Sequence, residues 1–158
     1  MRRVALIAAA ILLLDQATKL LVIRSIGAYE QRVVIEGFFN LVHSENTGAA
    51  WGIFQKRNDL LAAISLLTIL ALYLFRHSFQ LHRKGSTVAF GLIAGGIVGN
   101  LIDRVRVGHV IDFLDFYVDT HHWPAFNVAD SAICIGVGLY ILVSWRIDHP
   151  TQPEPAAS

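Results

Sequence analysis

Residues 108–130, GHVIDFLDFYVDTHHWPAFNVAD, carry four aspartates and three histidines beside strongly apolar segments. Asp112 follows the third apolar segment of the chain, and Asp130 lies near the start of the fourth. If the chain between them folds back, two partly desolvated carboxyl groups meet. Because like charges at close range cannot both ionise cheaply, such a pair holds one proton. One carboxylate could then activate water while the protonated group polarises a scissile carbonyl, so the two residues form a candidate aspartic peptidase pair.

Other chemistries also fit this polar stretch. His109, His121 and His122 could bind zinc with nearby aspartates, although the helix-borne HExxH pattern is absent. Asp103, Asp112 and Asp115 could hold magnesium in a phosphotransferase, but no second acidic cluster accompanies them. A transporter would place ionisable groups through the bilayer midplane, commonly with an internal repeat. A small proton-coupled or metal-dependent membrane protein therefore stays open as an alternative.

The composition is typical of a membrane protein, since 54% of the 158 residues are hydrophobic and only 16% are charged. A net charge of +1 gives no sign of a nucleic-acid partner. About 20 apolar residues span a bilayer core as a helix, so the apolar segments predict four transmembrane helices at about residues 4–23, 58–76, 86–104 and 125–146. The first begins like a signal peptide but lacks a small-residue cleavage site, and we interpret it as a retained helix. The proline-rich tail at 149–158 is predicted to be disordered.

The connection at residues 25–57 is too apolar for a mobile polar loop. Two β-prone runs flank Glu36 and Gly37, and a second turn signal follows at residues 46–48. We therefore expect a mainly α membrane protein with a small β-sheet between helices one and two. Residues 1–148 would form a single domain.

Helix parity predicts that the polar groups of the apolar segments meet near one membrane face. In four antiparallel helices, the C-terminal ends of the first and third lie beside the N-terminal ends of the second and fourth. The polar residues near that face are Asp15, Lys19, Asn100, Asp103, Arg104, Asn127 and Asp130. Charges there are costly unless paired or hydrated, so they are functional candidates. Asp15 and Lys19, four residues apart with the acid first, could be a structural pair or could contact a substrate.

Four motifs along the chain resemble those of the bacterial lipoprotein signal peptidases, also called signal peptidase II. They are LDQATK at 14–19, ENTGAAWG at 45–52, GGIVGNLIDRVRVGHVIDFLDF at 95–116 and FNVADSAI at 126–133. In this order and spacing the motifs are highly specific, and they run from helix one to helix four. The resemblance implies an intramembrane aspartic endopeptidase that removes the signal peptide from diacylglyceryl-modified prolipoproteins. It would cut just before the lipidated cysteine, with neither a metal nor another cofactor.

The resemblance also implies roles for individual residues. Asp112 and Asp130 would be catalytic, whereas Asp115 and Asp119 are interpreted as surface or supporting groups. Substrate-binding or active-site support would come from Asp15, Lys19, Asn46, Gly48, Asn100, Asp103, Arg104 and Asn127. The protein would be a monomer in the bacterial cytoplasmic (inner) membrane, in contact with lipids and lipidated prolipoproteins. Both termini would be cytoplasmic, and the extracytoplasmic β-sheet and the active site would lie near the outer surface.

Overall fold

The computed structural model describes residues 1–49 and 53–148, and the tail predicted to be disordered, 149–158, lies outside the described residues. Along the chain the elements are α1 (Arg2–Ser25), β1 (Gln31–Ile35), β2 (Phe39–Asn46), α2 (Asn58–Leu74), α3 (Lys84–Val107), β3 (Val110–Val118), β4 (His121–His122) and α4 (Val128–Asp148). A short 3-10 helix, Arg76–Phe79, lies between α2 and α3.

The helices have the lengths and surfaces of membrane-spanning elements. In the described part of the chain, α1, α3 and α4 are long and apolar enough to cross a membrane, and α2 is a shorter apolar helix of 17 residues. α1, α2 and α4 expose large apolar side chains, including Leu13, Leu67 and Ile141, as expected where lipid rather than water is the solvent. α3 packs against the other three helices and is the central one. The expected mainly α membrane fold is confirmed.

Glycines allow α3 to approach its neighbours closely. A methyl group on Gly95 would lie 2.7 Å from the carbonyl oxygen of Ala8 in α1, and one on Gly99 would lie 2.6 Å from Oδ2 of Asp15. On the α4 side, a methyl group on Gly96 would collide with the carbonyl of Ala129. The close approach therefore requires glycine, and it brings polar side chains of three helices within hydrogen-bonding distance.

The sheet is antiparallel, with strand order β1-β2-β3-β4. β1 and β2 form the hairpin predicted between α1 and α2, with Gly37 in its turn at a φ of 75°, where glycine is favoured. β3 and β4 come instead from the connection between α3 and α4, so the sheet is wider than the sequence predicted. Val22 and Ile26 at the end of α1 pack against Ile111 and Phe113 of β3. This apolar contact holds the sheet at one end of the helix bundle.

Most helix ends lie within two residues of their predicted positions, and two differ by three residues for local reasons. α4 begins at Val128 rather than at about 125, because Phe126 is extended and donates its N–H to the carbonyl of Leu114 at 3.1 Å. α3 continues past 104 to Val107, where Gly108 adopts the left-handed conformation, with a φ of 82°, that commonly ends helices. β3 begins almost directly after this glycine, so the end of α3 leads straight into the sheet.

Candidate active site

A cluster of fully buried charges lies between α1 and α3. Nζ of Lys19 lies 2.9 Å from Oδ2 of Asp15 and 2.7 Å from Oδ2 of Asp103, and all three residues are 0% exposed. Lys19 also donates to Oδ1 of Asn100 at 2.9 Å. Gln16 donates to both carboxylates, at 3.2 Å to Asp15 and 3.0 Å to Asp103. Buried charges are tolerated when they are paired and hydrogen-bonded, so the cluster favours a structural role for Asp15 and Lys19 over direct substrate contact.

Two asparagines connect this cluster to the two candidate catalytic aspartates. Asn100, which accepts from Lys19, donates Nδ2 to Oδ1 of Asp130 at 2.7 Å. Asn127 donates Nδ2 to Oδ1 of Asp112 at 2.7 Å and to Oδ1 of Asn100 at 3.2 Å. The two aspartates therefore belong to one hydrogen-bond network, although their residues lie on different elements.

The NVAD motif forms the N-terminal cap of α4. Oδ1 of Asn127 accepts the backbone N–H of Asp130 at 2.9 Å, and Oδ2 of Asp130 accepts the backbone N–H of Asn127 at 3.2 Å. This reciprocal pair is a capping box. Asp15 adds a third cap from α1, because its Oδ1 accepts the N–H of Ala129 at 3.0 Å. Asp130 thus lies at the positive end of the helix dipole, where a negative side chain is favoured.

Asp112 lies on β3, outside the helices, and is 3% exposed. Asn46 at the end of β2 donates Nδ2 to Oδ2 of Asp112 at 2.9 Å, while Asn127 occupies the other oxygen. Burial, and after it the nearby Asp130 carboxylate, raises the pKa of Asp112 to about 7 despite these hydrogen bonds. Asp112 can therefore hold a proton near neutral pH.

Both aspartates line an open cleft of about 1190 Å³ between the helices and the sheet. Four further predicted site residues line it: Asn46, Gly48, Asn100 and Arg104. Asn46 accepts the N–H of Gly48 at 2.9 Å, and a methyl group on Gly48 would lie 2.9 Å from the carbonyl oxygen of Ile53, so the turn requires a residue without a side chain here. The cleft is therefore polar around the two aspartates. After the end of β2, the turn that borders the cleft has no space for a side chain at Gly48.

Arg104 lies on the helix side of the cleft. Its guanidinium reaches the carbonyl oxygens of Gly48 at 3.4 Å and Asn100 at 3.5 Å. Its own carbonyl accepts a hydrogen bond from Asn58, the first residue of α2, at 3.0 Å. Nε of Arg104 is buried and has no hydrogen-bond partner among residues 1–49 and 53–148. This N–H is therefore enclosed in the protein rather than open to the cleft.

A β-bulge brings a second carboxylate of β3 to the cleft. Phe113 and Leu114 both donate their N–H groups to the carbonyl of Phe126, at 3.0 and 2.8 Å, and this pattern breaks the normal alternation of side chains along a strand. Asp112 and Asp115, three residues apart, consequently both line the cleft. Asp115 is only 6% exposed, so the prediction that it could be a surface group is wrong.

The remaining ionisable groups of the opening stretch have separate environments. Nδ1 of His122 lies 2.9 Å from Oδ1 of Asp115, whereas Asp119 and His121 are exposed. Nε2 of His109 lies 3.7 Å from the carboxylate of Glu45. Within the described ranges, no group of three or more His, Cys, Asp or Glu side chains could hold a metal ion.

The structure connects all ten predicted site residues through the hydrogen-bond network and the cleft that it borders. The sequence reasoning missed Gln16, although a polar residue beside Asp15 in an apolar helix was a usable signal. It also missed Asn40, whose Nδ2 donates to Asp115 at 2.9 Å across the sheet. No local pattern marks Asn40, because its partner lies 75 residues away in the chain.

A family model and the related sequences indicate the same protein family for this chain. Residues 7–146 match the family described as signal peptidase (SPase) II. The chain is 46% identical to the lipoprotein signal peptidase of Desulforapulum autotrophicum, over 88% of this chain and 89% of that protein. It is 47% identical to the lipoprotein signal peptidase of Geobacter sulfurreducens, over 90% of this chain and 91% of that protein.

Two solved structures of bacterial membrane enzymes, both obtained by the in meso method, are similar throughout their length. The one at 2.3 Å resolution has a TM-score of 0.86 and 30% identity, and the match covers 99% of this chain and 96% of that chain. The one at 1.9 Å resolution has a TM-score of 0.78 and 33% identity, covering 91% and 93%. Sequence and fold therefore agree that this chain belongs to the signal peptidase II family, the lipoprotein signal peptidases, which are aspartic proteases of the membrane.

Proposed function

We propose that this protein removes the signal peptide from diacylglyceryl-modified prolipoproteins, cutting just before the lipidated cysteine, with Asp112 and Asp130 as its catalytic pair. The observation that supports this most is the position of the two carboxyl groups. They line one cleft, and Asn127 hydrogen-bonds to both. A pair so placed can share one proton, which is the state that general acid and base catalysis of peptide hydrolysis requires.

The pair would act on water and on the scissile carbonyl together. The ionised carboxylate takes a proton as the water oxygen attacks the carbonyl carbon, and the protonated carboxyl donates its proton to the carbonyl oxygen. Collapse of the tetrahedral intermediate then breaks the C–N bond: the departing amine takes up the proton accepted from water, and the hydroxyl that becomes the new carbonyl returns its proton to the other carboxylate. Asp112 is the proton carrier in the resting pair, because its raised pKa keeps it partly protonated near pH 7. Asp130, at the N-terminus of α4, is the base.

Other residues of the network would position these groups. Asn46 and Asn127 hold the two oxygens of Asp112, so its carboxyl cannot rotate freely. Arg104 would donate a guanidinium N–H to a substrate carbonyl in the cleft. The buried cluster around Lys19 would act indirectly. Lys19 holds Asn100 in the position from which Asn100 donates a hydrogen bond to Asp130.

The bundle geometry fits a substrate that stays in the bilayer. A signal helix can lie against the apolar surfaces of the enzyme's helices, and acyl chains can remain in lipid while the bond after the signal peptide enters the cleft. If all four helices cross the membrane, the start of α1 and the end of α4 lie on the same side, opposite to the sheet. We place that side in the cytoplasm and the cleft near the outer surface of the bacterial cytoplasmic membrane, with the protein acting as a monomer.

The test uses purified protein and two forms of one prolipoprotein, with and without the diacylglyceryl group on its cysteine. We expect cleavage of the lipidated form only, with a new N-terminal cysteine in the product. Addition of a chelator should leave the rate unchanged, because no step needs a metal. Absence of cleavage of the lipidated form, or inhibition by chelator that added metal reverses, would contradict the proposal.

A further inference from the structure

A second polar group lines the cleft beyond the proposed catalytic pair, and the inference drawn from it rests on the proposed function. It consists of Asp115 on β3 and His122 on β4. Asp115 is almost fully buried, whereas the side chain of His122 is 50% exposed. The pair therefore has a fixed inner member and an accessible outer member.

Asp115 is held so that it orients His122. Its carboxylate accepts Nδ2 of Asn40 at 2.9 Å and lies 2.9 and 3.1 Å, through its two oxygens, from Nδ1 of His122. The side chain of Asn40 points its Nδ2 toward this carboxylate. In this orientation its buried Oδ1 has no hydrogen-bond partner in the described part of the chain. The His122 ring also stacks on Tyr117, with ring centroids 4.9 Å apart and planes at 8°. Tyr117 is in turn anchored, since its hydroxyl accepts the N–H of Gly37 at 2.9 Å.

The chemistry of this pair follows from the hydrogen bond. A carboxylate accepts only, so Nδ1 of His122 carries the proton that it donates to Asp115, and Nε2 of the neutral ring is left as an acceptor. The Asp115 carboxylate behind the ring adds negative charge. The guanidinium of Arg104 is engaged with backbone carbonyls near the catalytic pair. This end of the cleft therefore favours hydrogen-bond donors and cations over acidic groups.

The position of the pair indicates which part of a substrate it meets. The start of β3 packs against the end of α1, and the strand then runs on into the sheet, away from that contact. Asp115 lies three residues beyond Asp112, a distance of about 10 Å at roughly 3.3 Å per residue. The signal helix must remain among the helices, so the chain after the scissile bond leaves along the sheet. An extended substrate covers the same distance per residue and reaches His122 about three residues after the bond.

We propose that His122 is a specificity-determining residue, positioned by Asp115, that contacts the third residue after the scissile bond and prefers a basic to an acidic side chain there. The test is a set of three lipidated prolipoprotein substrates that differ only at this residue, which is lysine, serine or glutamate. The specificity constant kcat/KM is measured for each substrate. For the unaltered enzyme we expect the lysine substrate to exceed the glutamate substrate by about fivefold, the effect of a partly exposed charge interaction.

Two substitutions should remove this preference without removing cleavage. In His122→Ala and Asp115→Asn the lysine-to-glutamate ratio should fall to within about twofold of one, while the serine substrate is still cleaved. His121→Ala, at the exposed neighbouring position, is the matched control and should keep the original ratio. A purely structural role would lower all three rates together and leave the ratio intact, which would overturn the inference.

The outcomes separate this inference from the proposed function. If the unaltered enzyme cleaves all three substrates equally, the specificity role of His122 is wrong and the peptidase function stands. If it cleaves none of the three, the proposed function itself fails. Retention of the lysine-to-glutamate ratio in His122→Ala would likewise reject the role of His122.

Discussion

Asp112 and Asp130 are held by two different structural elements, which give the two carboxyl groups different hydrogen-bond partners. Asp130 is part of a helix cap, with one oxygen bound to the backbone of Asn127 and the other to Asn100. Asp112 belongs to a strand, and both of its oxygens accept side-chain amides. Because Asp112 is deeply buried and close to a second carboxylate, its pKa rises to about 7. The two chemically identical side chains thus lie in different environments.

The raised pKa of Asp112 predicts a pH-dependent stability. Between about pH 4 and pH 7 the folded protein holds a proton on Asp112 that the unfolded chain releases, so this contribution to stability is lost as pH rises through that range. Asp112→Asn removes the contribution. In thermal unfolding in detergent from pH 4 to 8, the unfolding temperature of the unaltered protein should fall, relative to that of Asp112→Asn, as pH increases. Parallel curves for the two proteins would show that the pKa of Asp112 is not raised.

Lys19 is the only positive charge seen in contact with the two buried carboxylates of the α1–α3 cluster in the described residues. Lys19→Met keeps most of the side-chain volume but leaves Asp15 and Asp103 uncompensated. We expect a loss of about 3–5 kcal/mol in the free energy of unfolding, the usual effect of breaking a buried ion pair. Lys84→Met, at an exposed position at the start of α3, should change it by less than about 0.5 kcal/mol. Equal unfolding temperatures for the two variants would contradict a structural role for the cluster.

At the scale of elements, helix spacing controls the alignment of the site. Gly99 lets α3 approach α1 closely at the position of Asp15, whose carboxylate also caps the start of α4. No larger residue fits between the helices at this point. The distance between α1 and α3 and the orientation of Asp130 are therefore coupled through Asp15.

Gly99→Ala should consequently lower stability by about 1–3 kcal/mol, because its methyl group would lie 2.6 Å from Oδ2 of Asp15. Cleavage of a lipidated prolipoprotein should also slow, since Asp15 would be displaced from the start of α4. Gly138→Ala on α4 is the matched control, because its methyl group would meet no atom within 4 Å, and it should be neutral or slightly stabilising. Both measurements use unfolding temperature and cleavage rate in the same detergent. Equal behaviour of the two variants would show that the α1–α3 distance is not limiting.

The elements differ in how far they could be predicted from sequence. The helices follow from local hydropathy, and the β1–β2 hairpin follows from the turn residues around Gly37, so both were predictable. β3 was not predicted, since its pairing with β2 joins residues about 70 positions apart and leaves no local pattern. No local pattern marks the bulge at Phe113 and Leu114 either. In a regular strand Asp112 and Asp115 would point to opposite faces of the sheet, so the position of Asp115 at the cleft could not be predicted. The capping box of α4 could have been predicted, because its N-x-x-D pattern precedes an apolar run.

At the scale of the whole molecule, the fold gathers the buried aspartates and lysine of its described residues toward one end of the helix bundle. α3 supplies Asn100, Asp103 and Arg104 from its final turns, and the sheet covers the same end. Hydrolysis requires water, while the signal helix of a substrate requires lipid. A cleft at the junction of helices and sheet can meet both requirements.

The central claim is that Asp112 and Asp130 carry out the hydrolysis. The most direct measurement compares cleavage of a lipidated prolipoprotein by the purified protein with cleavage by Asp112→Asn, Asp130→Asn and Asp119→Asn. The first two variants should lose activity by about 100-fold or more, because each loses a proton-transfer group, and should still fold, as judged by a cooperative unfolding transition. Asp119→Asn, at an exposed position, should cleave at the unaltered rate. Full processing by either Asp112→Asn or Asp130→Asn would contradict the claim.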